Sequence, residues 1–351
     1  HFTFLGCDEF TIERNGDKTF IVRGENHDLG TFRFHKAEAD RRMLEELPAE
    51  IQSFVLSSEI VNFFKSGSRS RVHRPAYPDY VVIKRFNEKG EVIGGIRFMG
   101  LYTSIVYIES PNNIPLIRQK LQQVRKLAGF DKTSHSGKEL NRILEIYPRD
   151  ELIQSSSEQL YNTALGILNI QERRQTRAFL RKGTYGKFLY CMVYTPRDIY
   201  NTELRTKIQG VLEEACDPDF VEFNTHFSES ILARTHFVLR LKNSESGDIN
   251  HSEIERRIQQ AARSWGDDLH TALVEQVGEE KGNRYHQVYR HAFPAGYRED
   301  FGSRTAVADI QHIEDLRTHP EKGIAMSFYR ELEEGENQLR FKLFNLNDVL
   351  P

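Results

Sequence analysis

The 351-residue sequence has few cysteines, no long apolar segment and no excess of positive charge. Its three cysteines, Cys7, Cys191 and Cys216, form no Cys-x-x-Cys pair, which argues against a disulfide framework and indicates a reducing compartment. No apolar run approaches the ~20 residues of a membrane-spanning helix, and no secretory signal opens the chain. The formal net charge of -3 disfavours binding to nucleic acid or to an anionic membrane. We therefore expect a soluble, cytoplasmic protein with neither partner.

The sequence also lacks the short motifs that announce a cofactor or a catalytic site. Gly94, Gly95 and Gly100 do not have the spacing of a dinucleotide fingerprint, and no phosphate-binding Gly-x4-Gly-Lys-Ser/Thr motif occurs. There is no His-Glu-x-x-His, and the 13 histidines are scattered. No Gly-x-Ser-x-Gly elbow is present, although a nucleophile assembled from distant residues stays open. The sequence predicts no catalytic residue, no metal site and no cofactor site in this chain.

The clearest structural signal is the stretch 187–216, where the apolar period changes midway. Residues 188–194 are all apolar or aromatic, which predicts a strand buried on both faces. After a polar turn, apolar residues recur at helical spacing, at Leu204, Ile208, Val211, Leu212 and Ala215. Asn201 or Thr202 is suited to cap this helix. Two alternating strands and a second helix follow, so the sequence predicts a βαββα unit.

The region before this unit divides into a β-rich part and a helical part. Asn15-Gly16 favours a tight hairpin, and antiparallel strands dominate as far as the helix that Pro115 opens. The predicted elements are hairpin strands at 2–12 and 19–23, a helix at 37–47, a strand at 54–64 and a hairpin turning at 87–90. These patterns indicate an α+β domain of sensor type over residues 1–135 and a helical connector over residues 136–177.

The region after the central unit is mainly helical. Apolar residues from Ile254 to Leu273 predict one helix with a possible kink at Gly266, and Ser303 begins another. A final hairpin is predicted at 324–331 and 338–344. We assign residues 178–335 to one domain with a helical extension and residues 336–351 to the start of a further domain. Because native termini tend to be polar and frayed, the strand-like ends of this chain lead us to expect a fragment.

A basic cluster in SRSRVHRPAYPDY is one candidate binding site, for an anion. It contains Arg69, Arg71, His73 and Arg74, and guanidinium groups are suited to bidentate recognition of carboxylate or phosphate. A solvated edge strand, or internal salt bridges, is the interpretation that the sequence favours. The aromatic strand KFLYCMVY similarly suggests base stacking in an RRM-like RNA-binding module, but aromatic residues at such positions more often form a core.

The turn that joins the buried strand to its helix is a second candidate site, for a small effector. It contains Arg197, Asp198, Asn201 and Thr202. The free N–H groups and positive dipole end of a helix N-terminus would stabilise the carboxylate of an amino acid. Capping of the helix by Asn201 alone is the favoured alternative.

Several segments, in the same order, resemble the large bacterial NAD-dependent glutamate dehydrogenases. They are HFTFLG, SRSRVHRPAYPDY, GLYTS, YPRDEL, YTPRDIYNTELR and FPAGYREDF. Cys7-Asp8 departs from the family's more usual aromatic and basic pair, at a position where we propose no site. The match is to the N-terminal regulatory half of that family, whose NAD-binding and glutamate-binding segments lie in a later part.

The resemblance implies both a fold and a role. The fold is α+β: a PAS-like antiparallel-sheet domain, a helical connector and an ACT-like (ferredoxin-like βαββαβ) domain, with a truncated second ACT-like domain at residues 336–351. The parent enzyme would convert L-glutamate, NAD and water to 2-oxoglutarate, ammonia and NADH. This chain would be an inactive regulatory fragment whose partners are the C-terminal catalytic part, further copies of itself and an amino-acid effector. A free-standing small-molecule sensor and, less favoured, an RNA-binding module are the alternatives.

Overall fold

The structure is a computed structural model that describes residues 1–24, 28–34, 41–171, 175–183, 186–242, 249–329 and 340–346. The chain forms two compact units, His1–Ala261 and Ala262–Pro351. The first unit contains two antiparallel sheets and a layer of helices. The second is mainly helical and ends in a two-stranded sheet.

A seven-stranded antiparallel sheet begins the first unit. Its strands are β1 (Phe2–Asn15), β2 (Lys18–Arg23), β3 (Leu29–Gly30), β4 (Arg41–Met43), β5 (Val61–Lys65), β6 (Asp79–Phe86) and β7 (Val92–Tyr102). The strand order is β4-β2-β1-β7-β6-β5, and the two-residue β3 pairs with β1. The helix α1 (Ala49–Leu56) and two 3-10 turns (Thr31–Phe34 and Leu44–Glu46) connect the strands. Among the five longer strands the order is therefore second, first, fifth, fourth, third.

The two hairpins predicted in this sheet, β1–β2 and β6–β7, are confirmed. Glycine is required at a turn and at a close contact between strands. Gly16 has a φ of 61° in the turn between β1 and β2, which favours a residue without a Cβ. A Cβ at Gly100 on β7 would lie 2.4 Å from the carbonyl oxygen of Thr3 on β1. The glycines of β7 thus serve close strand packing.

Five helices form the layer between the two sheets in sequence. They are α2 (Ser104–Ile108), α3 (Ile117–Ala128), α4 (His135–Ile146), α5 (Arg149–Gln154) and α6 (Ser157–Gln171). Leu121, Leu144 and Leu160 are fully buried in one core that also includes Met192 and Tyr194 of the second sheet. The predicted helical connector is therefore packed against a sheet.

The four-stranded sheet contains the predicted βαββα unit. The unit consists of β9 (Phe188–Pro196), α7 (Thr202–Cys216), β10 (Pro218–Phe227), β11 (Leu232–Leu241) and α8 (His251–Ala261). The fourth strand of the sheet, β8 (Arg177–Lys182), precedes the unit. The order is β10-β11-β9-β8, and every residue of β9 is buried. One face of β9 packs on the helical layer. Because side chains alternate between the two faces of a strand, the other face of β9 lies toward α7, whose Ile208 and Leu212 are buried. This two-sided burial explains the uninterrupted apolar run.

The second unit has its own core. Its helices are α9 (Trp265–Val277), α10 (Glu279–Tyr289), α11 (Ala295–Asp300) and α12 (Ser303–Thr318), and a 3-10 turn (Pro320–Lys322) leads to β12 (Ile324–Tyr329) and β13 (Arg340–Asn345). Leu269, Leu273, Val307 and Ile310 are fully buried together. The strands β12 and β13 pair with each other as the predicted final hairpin, of which residues 330–331 and 338–339 lie outside the described part.

Three sequence predictions differ from the structure. Within the predicted helix 37–47, of which 37–40 lie outside the described residues, residues 41–43 form β4, because pairing with β2 outweighs helix propensity. The predicted strand 54–64 begins only at Val61, since Phe54 belongs to α1.

The third difference is the predicted kinked helix 254–273. It is two helices, because Ser264 and Asp267 form a capping box that starts α9 anew at the boundary between the units.

The four-stranded sheet also differs from a βαββαβ unit in its order along the chain. The edge position beside β9, which a strand after the second helix would fill, is occupied by β8, a strand that precedes the unit. The reason is local: β8 and β9 are joined by a short turn, residues 183–187, and so they pair as a hairpin. The predicted turn residues 184 and 185 lie outside the described part.

Candidate functional site

A polar cleft of about 770 Å³ lies within the first unit, between the seven-stranded sheet, the helical layer and the four-stranded sheet. Its lining carries charges of both signs. The cationic side chains are Lys65, Arg69, Arg74, Arg149 and Arg234. The acidic side chains are Asp79, Glu145, Asp150 and Glu222. Such a cleft is suited to a small ligand that itself carries charge.

A buried ionic cluster lies at one side of the cleft. Lys65 Nζ on β5 is 3.2 Å from Asp79 Oδ1 on β6 and 3.9 Å from Asp150 Oδ2 on α5. The hydroxyl of Tyr107 donates to Asp150 at 3.1 Å. Burial raises the pKa of Asp79 to about 7, an effect that Lys65 opposes and Asp150 reinforces. Burial alone would lower the pKa of Lys65, but the two carboxylates outweigh it and raise that pKa. The cluster links the first sheet to the helical layer.

A second ion pair joins the helical layer to the four-stranded sheet. Glu151 on α5 accepts two hydrogen bonds of 2.8 Å from the guanidinium of Arg181 on β8. Burial would raise the pKa of Glu151, but Arg181 and His236 lower it to about 2. The guanidinium of Arg181 also lies 4.3 Å from the ring centroid of Tyr190. Two consecutive residues of α5 thus contact different sheets: Asp150 contacts the seven-stranded sheet, and Glu151 contacts the four-stranded sheet.

Several buried side-chain nitrogens around the cleft have no hydrogen-bond partner among the described residues. They are Nε of Arg149, Nε of Arg234 and Nε2 of His236. His236 is 9% exposed, and its Nε2 lies 3.6 Å from Glu151 Oε1, which is longer than an ordinary hydrogen bond. Buried donors without acceptors are rare, so this part of the cleft is suited to a ligand that accepts hydrogen bonds.

The predicted basic cluster divides into residues that line the cleft and residues that do not. Arg69 lies 4.3 Å from the ring centroid of Phe220 on β10, and Arg74 donates to the carbonyl oxygen of Tyr102 at 3.0 Å. Arg71 and His73 are exposed and are not among the lining residues. The anion site predicted at all four residues stays a prediction, and the structure brings two of them to the cleft.

The predicted effector turn makes its contacts within the protein. Asn201 Oδ1 accepts from the N–H of Leu204 at 2.7 Å and so caps α7. Arg197 donates to the carbonyl oxygen of Ser228 at 2.9 Å and lies over the ring of Phe227. Thr202, the first residue of α7, accepts through its carbonyl oxygen from Thr206. Asp198 lies in the same turn and also has a partner. The effector role of these residues stays a prediction.

The described residues contain neither a metal-binding cluster nor a membrane-spanning helix. Within the described ranges, no group of three or more His, Cys, Asp or Glu side chains is placed to hold a metal ion. None of the helices described is both long and apolar enough to cross a membrane. Cys7, Cys191 and Cys216 are free and buried, and burial raises the pKa of each thiol.

Comparison with known proteins identifies the family. Models of three glutamate dehydrogenase segments match: helical motif 1 at residues 114–173, the ACT2 domain at residues 177–266 and helical motif 2 at residues 272–316. Proteins named NAD-specific glutamate dehydrogenase from Halomonas elongata and Pseudomonas aeruginosa are 44% and 45% identical over 359 and 357 aligned residues, covering 100% of this chain. The chain belongs to this glutamate dehydrogenase family.

The chain corresponds to a limited part of these glutamate dehydrogenases. It spans 22% of the length of the Halomonas and Pseudomonas proteins. A protein of the same name from Mycobacterium tuberculosis is 28% identical over 292 residues, which is 79% of this chain and 18% of that protein. The family resemblance inferred from the sequence is therefore confirmed.

The family segments correspond closely to the elements of the structure. Helical motif 1 includes α3 to α6, and the ACT2 segment extends from β8 to the start of α9. Helical motif 2 lies within the second unit. The residues that line the cleft come from three parts of the chain: the part before helical motif 1, that motif, and the ACT2 segment.

Sequence reasoning missed most of the residues that line the cleft. Lys65 and Asp79 gave a sequence signal, since each is a charged residue at the end of an apolar strand, and both are well buried. Arg234 and His236 gave no such signal, because the alternation of β11 is also compatible with a solvated face.

Proposed function

We propose that the chain is the N-terminal regulatory region of an NAD-dependent glutamate dehydrogenase and is not itself catalytic. The parent enzyme would oxidise L-glutamate with NAD and water to 2-oxoglutarate, ammonia and NADH. The observation that carries the proposal is the set of matched segments, an ACT domain and two helical motifs, within relatives named NAD-specific glutamate dehydrogenase. NAD would bind to the part of the parent that lies outside these residues.

The first sheet supports a PAS-like assignment for residues 1–135. Its five longer strands have the order second, first, fifth, fourth, third, with α1 between the second and the third of them. That arrangement is the order of strands in PAS domains, which hold small ligands or mediate assembly. Sheet topology of this kind supports a fold assignment more strongly than a function.

The four-stranded sheet supports an ACT-like assignment for the region that starts at residue 178. Its order β10-β11-β9-β8, with α7 and α8 as its two helices, has the spatial arrangement of a ferredoxin-like sheet in which the fourth strand comes first along the chain. We assign α9 to α12 to the helical extension and residues 336–351 to the start of a further ACT-like domain.

A regulatory region needs partners that transmit its state. We propose the C-terminal catalytic part of the same chain, further copies of the chain and a free amino acid as effector. The ten-residue β10 forms an edge of the four-stranded sheet, and edge strands are commonly covered by another chain.

The test is a pair of activity measurements. The purified 351-residue chain, mixed with L-glutamate and NAD, is expected to form no NADH by ultraviolet absorbance. The full-length Pseudomonas aeruginosa protein, assayed in parallel, is the positive control. NADH formation that increases in proportion to the concentration of the purified chain would contradict the proposal.

A further inference from the structure

We infer that the polar cleft of the first unit binds a free α-amino acid, with Arg69 holding its carboxylate and Glu222 its ammonium group. The inference rests on the proposed function only in treating the chain as an effector-binding region. It concerns a site that lies apart from the turn at residues 197–202, whose contacts are satisfied within the protein.

Two side chains of opposite charge, Arg69 and Glu222, line the cleft without pairing with each other. Arg69 lies 4.3 Å from the ring centroid of Phe220 and 5.2 Å from that of Tyr77. Phe220 and Glu222 are two positions apart on β10 and therefore face the same side of the sheet. Neither Arg69 nor Glu222 has an ion-pair partner among the residues that the structure describes. Two neighbouring charges of opposite sign that do not meet are suited to a ligand that carries both.

The cleft also offers buried hydrogen-bond donors. Nε of Arg149 and Nε of Arg234 have no acceptor among the described protein atoms, and Nε2 of the nine-tenths buried His236 has no hydrogen-bond partner there. These donors come from α5 and β11, two elements of different layers. An amino acid with an oxygen-bearing side chain would supply acceptors to them.

The numbers of cationic and acidic side chains in the lining favour one class of ligand. Five Lys or Arg and four Asp or Glu side chains line the cleft. A phosphate group would gain from the cations but would be repelled by those of the four acidic side chains that are ionised. A zwitterion is attracted by both sets. The volume of about 770 Å³ is ample for an amino acid.

Occupancy of this cleft would act on all three layers of the first unit. Arg69 belongs to the segment between β5 and β6, Glu222 to β10, and Arg149 to α5. A ligand that bridges these elements stabilises their mutual arrangement by mass action. This is a physical route from an amino acid to the state of a regulatory region.

The experiment is calorimetric titration of the 351-residue chain with L-glutamate, L-aspartate, L-arginine, glutarate and inorganic phosphate. We expect at least one amino acid to bind, and glutarate, which lacks the ammonium group, and phosphate to bind more weakly. Arg69→Gln is expected to weaken amino-acid binding about ten-fold or more, the effect of losing one charge-assisted hydrogen bond. The matched control Arg71→Gln changes an exposed arginine of the same segment and should bind as the unmodified chain does.

A second variant tests the ammonium contact. Glu222→Gln should weaken binding of the amino acid by a similar factor but should not weaken binding of glutarate, a dianion that the Glu222 carboxylate repels, whereas Glu158→Gln, at an exposed position of α6, should have no effect. Thermal unfolding of every variant checks that the fold is intact. The absence of heat with every probe, tighter binding of phosphate than of any amino acid, or equal effects of Arg69→Gln and Arg71→Gln would overturn the inference. The NADH assay reports separately on the proposed function.

Discussion

Glu151 is the residue on which the link between the helical layer and the second sheet depends most directly. Its side chain is nearly inaccessible and bonded in bidentate fashion to Arg181, so removing its charge leaves a guanidinium buried without a counter-charge. We expect Glu151→Gln to lower the free energy of unfolding by about 3 kcal/mol, the order found when one partner of a buried pair is lost. The measurement is chemical denaturation at neutral pH, with Glu158→Gln as the exposed control.

The same residue predicts a dependence on pH. The folded pKa of Glu151 is lowered to about 2 from its ordinary 4.5, so the folded state binds the proton less readily than the unfolded state does. Its contribution is therefore present above about pH 4.5 and is lost as the pH falls towards 2. We expect the difference between the unmodified chain and Glu151→Gln to shrink over that interval. A difference that stays constant from neutral to acid pH would show that the loss is one of packing and not of charge.

At the scale of elements, buried cations repeatedly satisfy the C-terminal carbonyl groups of helices. Lys84 on β6 donates to the carbonyl oxygens of Phe54 and Ser57 at the end of α1, and to Ser57 Oγ. Lys120 on α3 donates in the same way to Ile153 and Ser155 at the end of α5. Burial lowers the pKa of Lys84 and of Lys120 to about 8. These contacts complement the negative end of each helix dipole.

Lys84→Met tests this arrangement, since methionine has a similar length and no donor. Three oxygen atoms would lose their hydrogen bond from Lys84 in a buried or partly buried place, and we expect the variant to be less stable by about 2 kcal/mol. Denaturation midpoints of the variant and of Lys89→Met, an exposed lysine in the turn after β6, provide the comparison. If both variants unfold at the same midpoint, the lysine does not stabilise the end of α1.

At the scale of the whole molecule, each of the two compact units contains a hydrophobic core of its own. Leu144, Leu160 and Met192 belong to a core of the first unit, and Leu269, Val307 and Ile310 belong to a core of the second. We expect calorimetry to resolve two unfolding transitions. A charge placed in a core costs several kcal/mol. Ile208→Asp should therefore lower one transition and Val307→Asp the other. If both variants instead lower the midpoint of one shared transition, the two units unfold together.

Local patterns in the sequence determined the elements whose partners are near in the chain or whose burial is complete. The run at 188–194 and the helical spacing of Leu204, Ile208 and Leu212 both correspond to structure, because an apolar period reports how a segment is buried. The helix predicted over 37–47 was wrong at residues 41–43, because pairing of β4 with the distant β2 is invisible to a local pattern, whereas residues 44–46 form a 3-10 turn. The predicted continuous helix 254–273 was wrong because a strong cap at Ser264 starts a new helix.

The sequence by itself determined the family and the βαββα unit, whereas it named Arg69 and Arg74 only within a basic cluster for which it favoured a solvated edge strand. Only the tertiary structure decided which surfaces meet, and so it alone brought Glu222, Arg234 and His236 to the same cleft. The physical reason is that side-chain periodicity fixes the face on which a residue lies, whereas the partner of that face depends on contacts between residues far apart in the chain. The buried charges at the cleft are stabilised by such distant partners, as Lys65 is by Asp79 and Asp150.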